Sequence, residues 1–320
     1  MADNKNKVNE YYTKPPELGR WEGFRLFLWN SETSQFLGRT GSSWAKILLF
    51  YLIFYAVLVG FFVALMAVFY QTLDMKRPKW ELDSSLIGNN PGLGFRPMPP
   101  PSNVESTLIW YKSSDKGNVR YWQEQLSLFV QSYQKENNEH ADNVVPCSNF
   151  IKPEEGKVCD VEMPPTKWNP CLPEAGFGFE DEKGGPCIFL KLNKIYNWKP
   201  DYYNSTNLPG PDKMNDYLRK DIQDAELRNE HEMVWVTCEG ENPADKENIG
   251  PLRYIPQRGF LSQYFPFKNQ DGYLSPLIAV HFEQPKRGIL INIECKAWAT
   301  NIIHDRVDRR GSVHFELMVD

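Results

Sequence analysis

Hydrophobic positions in this chain follow three rhythms, and each predicts a different kind of element. From Ile47 to Tyr70 the sequence reads ILLFYLIFYAVLVGFFVALMAVFY, 24 residues without a charge, a proline or an amide side chain. At about 1.5 Å per residue the run makes roughly 36 Å of helix, enough to cross a hydrocarbon core of about 30 Å with some tilt. In a second rhythm Val119, Trp122, Leu126, Phe129, Val130 and Tyr133 recur every third or fourth position. That period predicts a helix over residues 118–136, with Asn118 as its cap. The third rhythm is the strand's. Val313, Phe315, Leu317 and Val319 alternate with His314, Glu316 and Met318, and short apolar runs at 187–192 and 277–282 are further strand candidates.

The apolar run itself carries two stripes at 100° per residue. Tyr51, Tyr55, Leu58 and Phe62 share one face, with Phe54 at its edge, and Ala56, Gly60 and Ala64 lie about 180° away. A tyrosine hydroxyl deep in lipid needs a hydrogen-bond partner, and small residues at every fourth position let another backbone approach. The pattern suits a helix that touches membrane protein on more than one side.

Between these elements the composition sets the organisation. Residues 1–46 form a short polar tail whose second half is rich in aromatics: Trp21, Phe24, Phe27, Trp29, Phe36 and Trp44. Two readings of that strip stand side by side, a segment lying at headgroup level and a docking strip for a partner's cytoplasmic surface. Residues 47–73 are the span. Residues 74–107 hold Pro78, Pro91, Pro97 and the triplet Pro99–Pro101, and read as an extended linker laid over a surface. Residues 108–320 then form one outer domain.

Cysteines, and not charge, orient the chain. Arg39 and Lys46 precede the run while Lys76, Arg77 and Lys79 follow it, so flanking charge does not choose a direction. All six cysteines, Cys147, Cys159, Cys171, Cys187, Cys238 and Cys295, come after the run, as does the single glycosylation sequon at Asn204. Disulfides and glycans belong to an oxidising compartment, so the expected topology is type II, N-terminus in the cytoplasm. Six cysteines allow 15 pairings. Cys238 shares parity with Val234 and Val236, and Cys295 with Ile289, Ile291 and Ile293, so a bridge between these two could staple a sandwich through its interior. The fold expected is a single transmembrane helix plus a mainly-β, immunoglobulin-like sandwich with one helix and three disulfides. The part after the run holds 29 basic and 36 acidic residues, which gives no reason to expect nucleic acid.

Catalytic motifs are missing. No Asp-x-Asp is present to hold a sugar nucleotide's metal, and no Gly-x-Ser-x-Gly elbow. His231-Glu232 begins like a zinc-protease helix, yet Trp235 stands where the second ligand belongs. The five histidines (His140, His231, His281, His304, His314) show no ligand spacing. The residues indicate a non-catalytic protein without cofactors that works through contacts, with cell adhesion as the alternative.

Several stretches together resemble one family. They are Phe27-Leu-Trp-Asn-Ser31, Phe36-Leu-Gly-Arg-Thr-Gly41, Ser43-Trp-Ala-Lys-Ile47 and Phe50-Tyr-Leu-Ile-Phe-Tyr55. Further on come Gln263-Tyr-Phe-Pro-Phe267, Leu274-x-Pro-Leu-Ile-Ala-Val280 and Ile293-Glu-Cys-Lys-Ala297. Across nearly its whole length the chain is similar to the β subunits of the Na+,K+- and H+,K+-transporting P-type ATPases, the Na+,K+ branch above all. The resemblance implies pairing in order, Cys147–Cys159, Cys171–Cys187 and Cys238–Cys295. It implies a catalytic α subunit as partner at the plasma membrane, and leaves room for a small single-span regulatory subunit. Tyr51, Phe54 and Tyr55 match the aromatic motif that meets α's seventh helix, with Gly60 in the opposite stripe. Gln263, Tyr264, Pro266 and Phe267 are the residues expected to cap α's extracellular loop. The implied roles are folding and delivery of α and tuning of K+ occlusion. The chain departs from the family in carrying one sequon where several are usual, and in its short first cysteine loop.

Overall fold

A computed structural model describes residues 19–100, 102, 106–139, 142–180 and 184–320. The chain divides into two units, residues 1–74 and 75–320. In the first, helix α1 (Arg20–Leu28) is followed by three two-residue strands, β1 (Trp29–Asn30), β2 (Gln35–Phe36) and β3 (Arg39–Thr40), paired antiparallel. Strand β3 runs without a break into α2 (Gly41–Gln71), a helix of 31 residues with no buried side chain. A helix that is apolar all round and uncovered has the character of a membrane span. Among the described residues it alone is long and apolar enough to cross a bilayer.

The second unit contributes, in chain order, β4 (Leu93–Arg96), β5 (Leu108–Tyr111), α3 (Lys116–Glu139), β6 (Val144–Val145), β7 (Val158–Cys159), α4 (Pro165–Trp168) and β8 (Cys187–Leu192). Then come α5 (Asp216–Leu227), β9 (Met233–Gly240), α6 (Pro243–Asn248), β10 (Leu252–Ile255), β11 (Gly259–Leu261), β12 (Leu277–Phe282), β13 (Ile291–Trp298) and β14 (Ser312–Val319). Two sheets form the body, ordered β10-β12-β8-β4 and β11-β9-β13-β14-β5. Every pairing in them is antiparallel except β14 with β5. Register aligns Phe95, Leu190 and Ile278 across the first sheet, and Gly240, Ile293 and Phe315 across the second. The sheets meet through their rings. Phe315 stacks on Phe95 at 5.0 Å between centroids and takes Phe282 edge-on at 6.2 Å.

Strands β8 and β12 are apolar at almost every position because both of their faces are covered. One faces the other sheet. On the opposite face α3 lies over Phe189, with Phe129 edge-on at 5.9 Å and the Tyr133 hydroxyl donating to the Ser275 carbonyl at 3.1 Å. Trp168 stacks on the same ring at 6.0 Å. On the far side α5 seats Leu218, Ile222 and Ala225 against Met233, Trp235, Leu261 and Trp298, a second apolar cluster. Helix α6 folds back so tightly that a Cβ on Gly240 would stand 2.3 Å from the backbone of Asp245 and Lys246. Only glycine admits that approach.

Four expectations change. Helix α3 begins at Lys116, capped by Asp115, whose carboxylate accepts from the Gly117 and Asn118 N–H groups. The Asn118 side chain turns back to accept from the Lys112 N–H instead. The second unit holds α4, α5 and α6 besides the one long helix. The stretch expected as linker contributes β4, whose Leu93 and Phe95 are buried and whose neighbours Pro91 and Pro97 limit it to four residues. Residues 101, 103–105 and 140 lie outside the described residues. Last, Cys238 and Cys295 are register partners on adjacent strands of one sheet, with Cα atoms 4.0 Å apart. Their bridge ties β9 to β13 edge to edge and does not cross between the sheets.

Candidate functional site

Two surfaces carry the candidate residues. The first is α2. Its helical spacing stacks Tyr51 on Tyr55 at 6.0 Å and Phe50 on Phe54 at 6.2 Å, and sets Phe54 edge-on to Tyr55 at 5.3 Å. The four rings make one continuous exposed aromatic face. On the opposite stripe a Cβ on Gly60 would meet nothing within 4 Å, so the backbone there is open to close approach.

The second surface surrounds residues 263–267, and the structure divides its members. Gln263 is 6% exposed, and its side-chain oxygen accepts from the Phe150 N–H at 2.7 Å. It braces the segment from inside, with little of its side chain left exposed. Tyr264 is anchored too: its hydroxyl donates to the Asp160 carbonyl at 2.9 Å, and burial raises its pKa. Phe265 packs edge-on against Trp198 at 5.7 Å. Pro266 and Phe267 stay half-buried at the surface.

Around Phe267 the fold gathers residues from distant parts of the sequence. Its ring lies 4.8 Å from Tyr273 and 6.3 Å from Tyr196, with the Lys194 ammonium 5.3 Å from its centroid. Its carbonyl accepts from the Asn197 N–H at 2.7 Å. The chain just past α2 is held here as well, since Asn269 donates to the Lys76 carbonyl and Asn197 to the Glu81 carboxylate. Nothing in the sequence pattern links residues 76–81, 194–197 and 266–273, so Lys194, Tyr196 and Tyr273 went unnoticed there.

The same neighbourhood holds an acid pair. Burial pushes the Asp160 carboxyl up to about 6, and the adjacent Glu162 carboxylate adds to the shift. An ordinary aspartate titrates near 3.8, so the folded state binds the extra proton between about 4 and 6. Its stability therefore falls as pH rises through that window and is regained on acidification. Asp160→Asn is expected to flatten this slope in urea midpoints measured across the window; an unaltered slope would clear Asp160 of responsibility.

The remaining candidates are structural. Disulfides join Cys147 to Cys159, Cys171 to Cys187 and Cys238 to Cys295, the order the resemblance implies. Asn204 sits in a turn where its side-chain oxygen accepts from the Thr206 hydroxyl at 2.7 Å and from two backbone N–H groups. His281, His304 and His314 engage separate partners, namely Arg253, the Ala297 carbonyl and Glu241. His140 lies outside the described residues.

The family model described as "Sodium / potassium ATPase beta chain" matches residues 14–315. The sodium/potassium-transporting ATPase subunit beta-2 of Drosophila melanogaster is 48% identical over 315 residues, covering 97% of this chain and 96% of its own. Subunit beta-1 of the same organism is 36% identical over 324 residues, with both chains fully covered. The human beta-2 subunit is 29% identical over 316 residues, covering 93% of this chain and 94% of its own. With the match running through the apolar helix, both sheets and all six cysteines, the chain belongs to the sodium/potassium ATPase beta chain family.

Proposed function

We propose that this chain is the non-catalytic β subunit of a Na+,K+-transporting ATPase, a single-pass type II protein of the plasma membrane. The observation that carries the reading is α2, a fully uncovered helix with an aromatic face and an opposite face open at Gly60. Such a helix has two surfaces to offer a many-spanning α subunit. The reading adds that Tyr51, Phe54 and Tyr55 meet one of α's helices while Ala56, Gly60 and Ala64 let another come close. Pro266 and Phe267, backed by Lys194 and Tyr273, cap an extracellular loop of α. Six cysteines and the Asn204 sequon, all after the span, support an outer location for the second unit. Any tuning of K+ occlusion requires that β bind one conformation of α better than another.

The test is co-purification in mild detergent followed by identification of the large partner. Gly60→Leu and Tyr55→Ala are each expected to weaken recovery of α roughly tenfold, the effect of losing about 1–2 kcal/mol of interhelical packing. Recovery unchanged in both variants would refute the helix-contact reading.

A further inference from the structure

The first unit poses a physical problem. Its strands are paired, the Leu37 N–H donates to the Leu28 carbonyl at 3.2 Å, and the Trp44 indole donates to the Phe36 carbonyl at 2.8 Å. Yet no side chain between residues 19 and 46 is buried. Helix α1 has nine residues, and isolated helices shorter than about 12–15 are marginal in water. Nothing among the described residues covers this fold, which leaves its apolar side chains for another surface.

Its position says what. Strand β3 ends at Thr40, the N-cap of α2, and only Gly41–Lys46 separate it from the first membrane residue, Ile47. Six helical residues rise about 9 Å. The headgroup layer on each side of the hydrocarbon is roughly 5–8 Å thick. Because β3 and α2 are continuous, the small sheet is held at the outer edge of the headgroup layer, within reach of side chains as long as tryptophan and arginine.

Its chemistry fits that level. On the α1 wheel Trp21, Phe24 and Leu28 fall within an arc of about 60°, flanked by Arg20 on one side and Arg25 on the other, with Glu22 turned away. Trp21 and Phe24 are 79% and 52% exposed and stack at 6.0 Å. Phe27 lies over Gly38, locking the helix to the strands. Arg20, Arg25, Arg39 and Lys46 outnumber Glu22 and Glu32 in residues 19–46. Aromatic rings with basic flanks are what an anionic headgroup layer takes up.

We propose that α1 and β1–β3 form an interfacial foot that binds anionic lipid headgroups, laying Trp21 and Phe24 into the membrane surface while Arg20 and Arg25 reach the phosphates. The inference does not depend on the α subunit.

Hydrogen exchange on the full chain in lipid nanodiscs tests it. In discs of phosphatidylcholine with phosphatidylserine, amides 21–29 are expected to exchange roughly tenfold more slowly than in phosphatidylcholine alone, with no other protein present. Trp21→Ser with Phe24→Ser should abolish protection in both lipids. Arg20→Gln with Arg25→Gln should remove only the difference between them. Amides 53–65 of α2, protected in every variant, report that the span is still inserted. Equal exchange in the two lipids, or protection of residues 21–29 that arises only once α subunit is added, would overturn the proposal.

Discussion

Replacing Cys238 and Cys295 together with alanine is expected to lower the stability of the second unit by about 4 kcal/mol, the largest loss for any of the three bridges. In the chain-entropy view the cost of removing a cross-link grows with the loop it closes. This bridge spans 57 positions, against 12 for Cys147–Cys159 and 16 for Cys171–Cys187, where about 3 kcal/mol is expected. The loop it closes leaves β9, supplies β10 and β12 to the opposite sheet, and returns as β13. The bridge therefore confines an excursion that builds half of the opposite sheet. Both sulfurs are buried, so alanine also leaves a gap between the sheets. The check is a thermal melt of the purified full chain followed by tryptophan fluorescence, with a fall of about 10 °C expected. A smaller loss than that of the Cys147/Cys159 pair would show that loop length is not what matters here.

Phe315→Ala should cost about 3–5 kcal/mol, the range for truncating a fully buried ring. Phe315 is fully buried at the centre of β14 and bridges the sheets by touching Phe95 on one strand and Phe282 on another. Alanine opens a cavity at the point where the two layers are joined. Phe315→Leu, which keeps most of the volume, should lose far less, on the order of 1 kcal/mol. Urea midpoints of the two variants decide the matter. Equal losses would mean that the stacking geometry, not the filled space, holds the sheets together.

These three residues also show which parts of the fold could be read in advance. Strand β14 was legible because only one of its faces meets the core, so Phe315 and Leu317 alternate with polar neighbours. Strands β8 and β12 were legible for the opposite reason, as short unbroken apolar runs bounded by turns. Strands β5, β10 and β11 have three or four residues each and carry too few positions to show any period. Strand β4 hid among prolines, and α5 spreads its buried Leu218, Ile222 and Ala225 along a largely charged stretch that also exposes Tyr217 and Leu227. Parity placed Cys238 and Cys295 on inward faces, but parity cannot say whether two inward residues face each other across a core or sit side by side.

The candidate site was legible in the same uneven way. The aromatic and small-residue stripes of α2 follow from helical spacing alone, since lipid imposes no further fold on a single span. Around residues 263–267 the local sequence marks the right segment without revealing which side chains turn inward. Gln263 looked like a surface amide, yet the backbone of Phe150, far away in sequence, claims its oxygen. Lys194, Tyr196 and Tyr273 reach Phe267 only through the closed fold.

The parallel seam between β5 and β14 bears on how such a chain is made. Trp110 and Asp320, joined by a hydrogen bond at the end of that seam, are 210 positions apart. As the polypeptide is synthesised, β5 emerges first of the two and stays without its neighbour until the whole stretch between it and β14 has been made. Throughout that interval it offers a bare edge to other proteins, so a slow ribosome or a scarcity of chaperones should harm this subunit more than one built from hairpins.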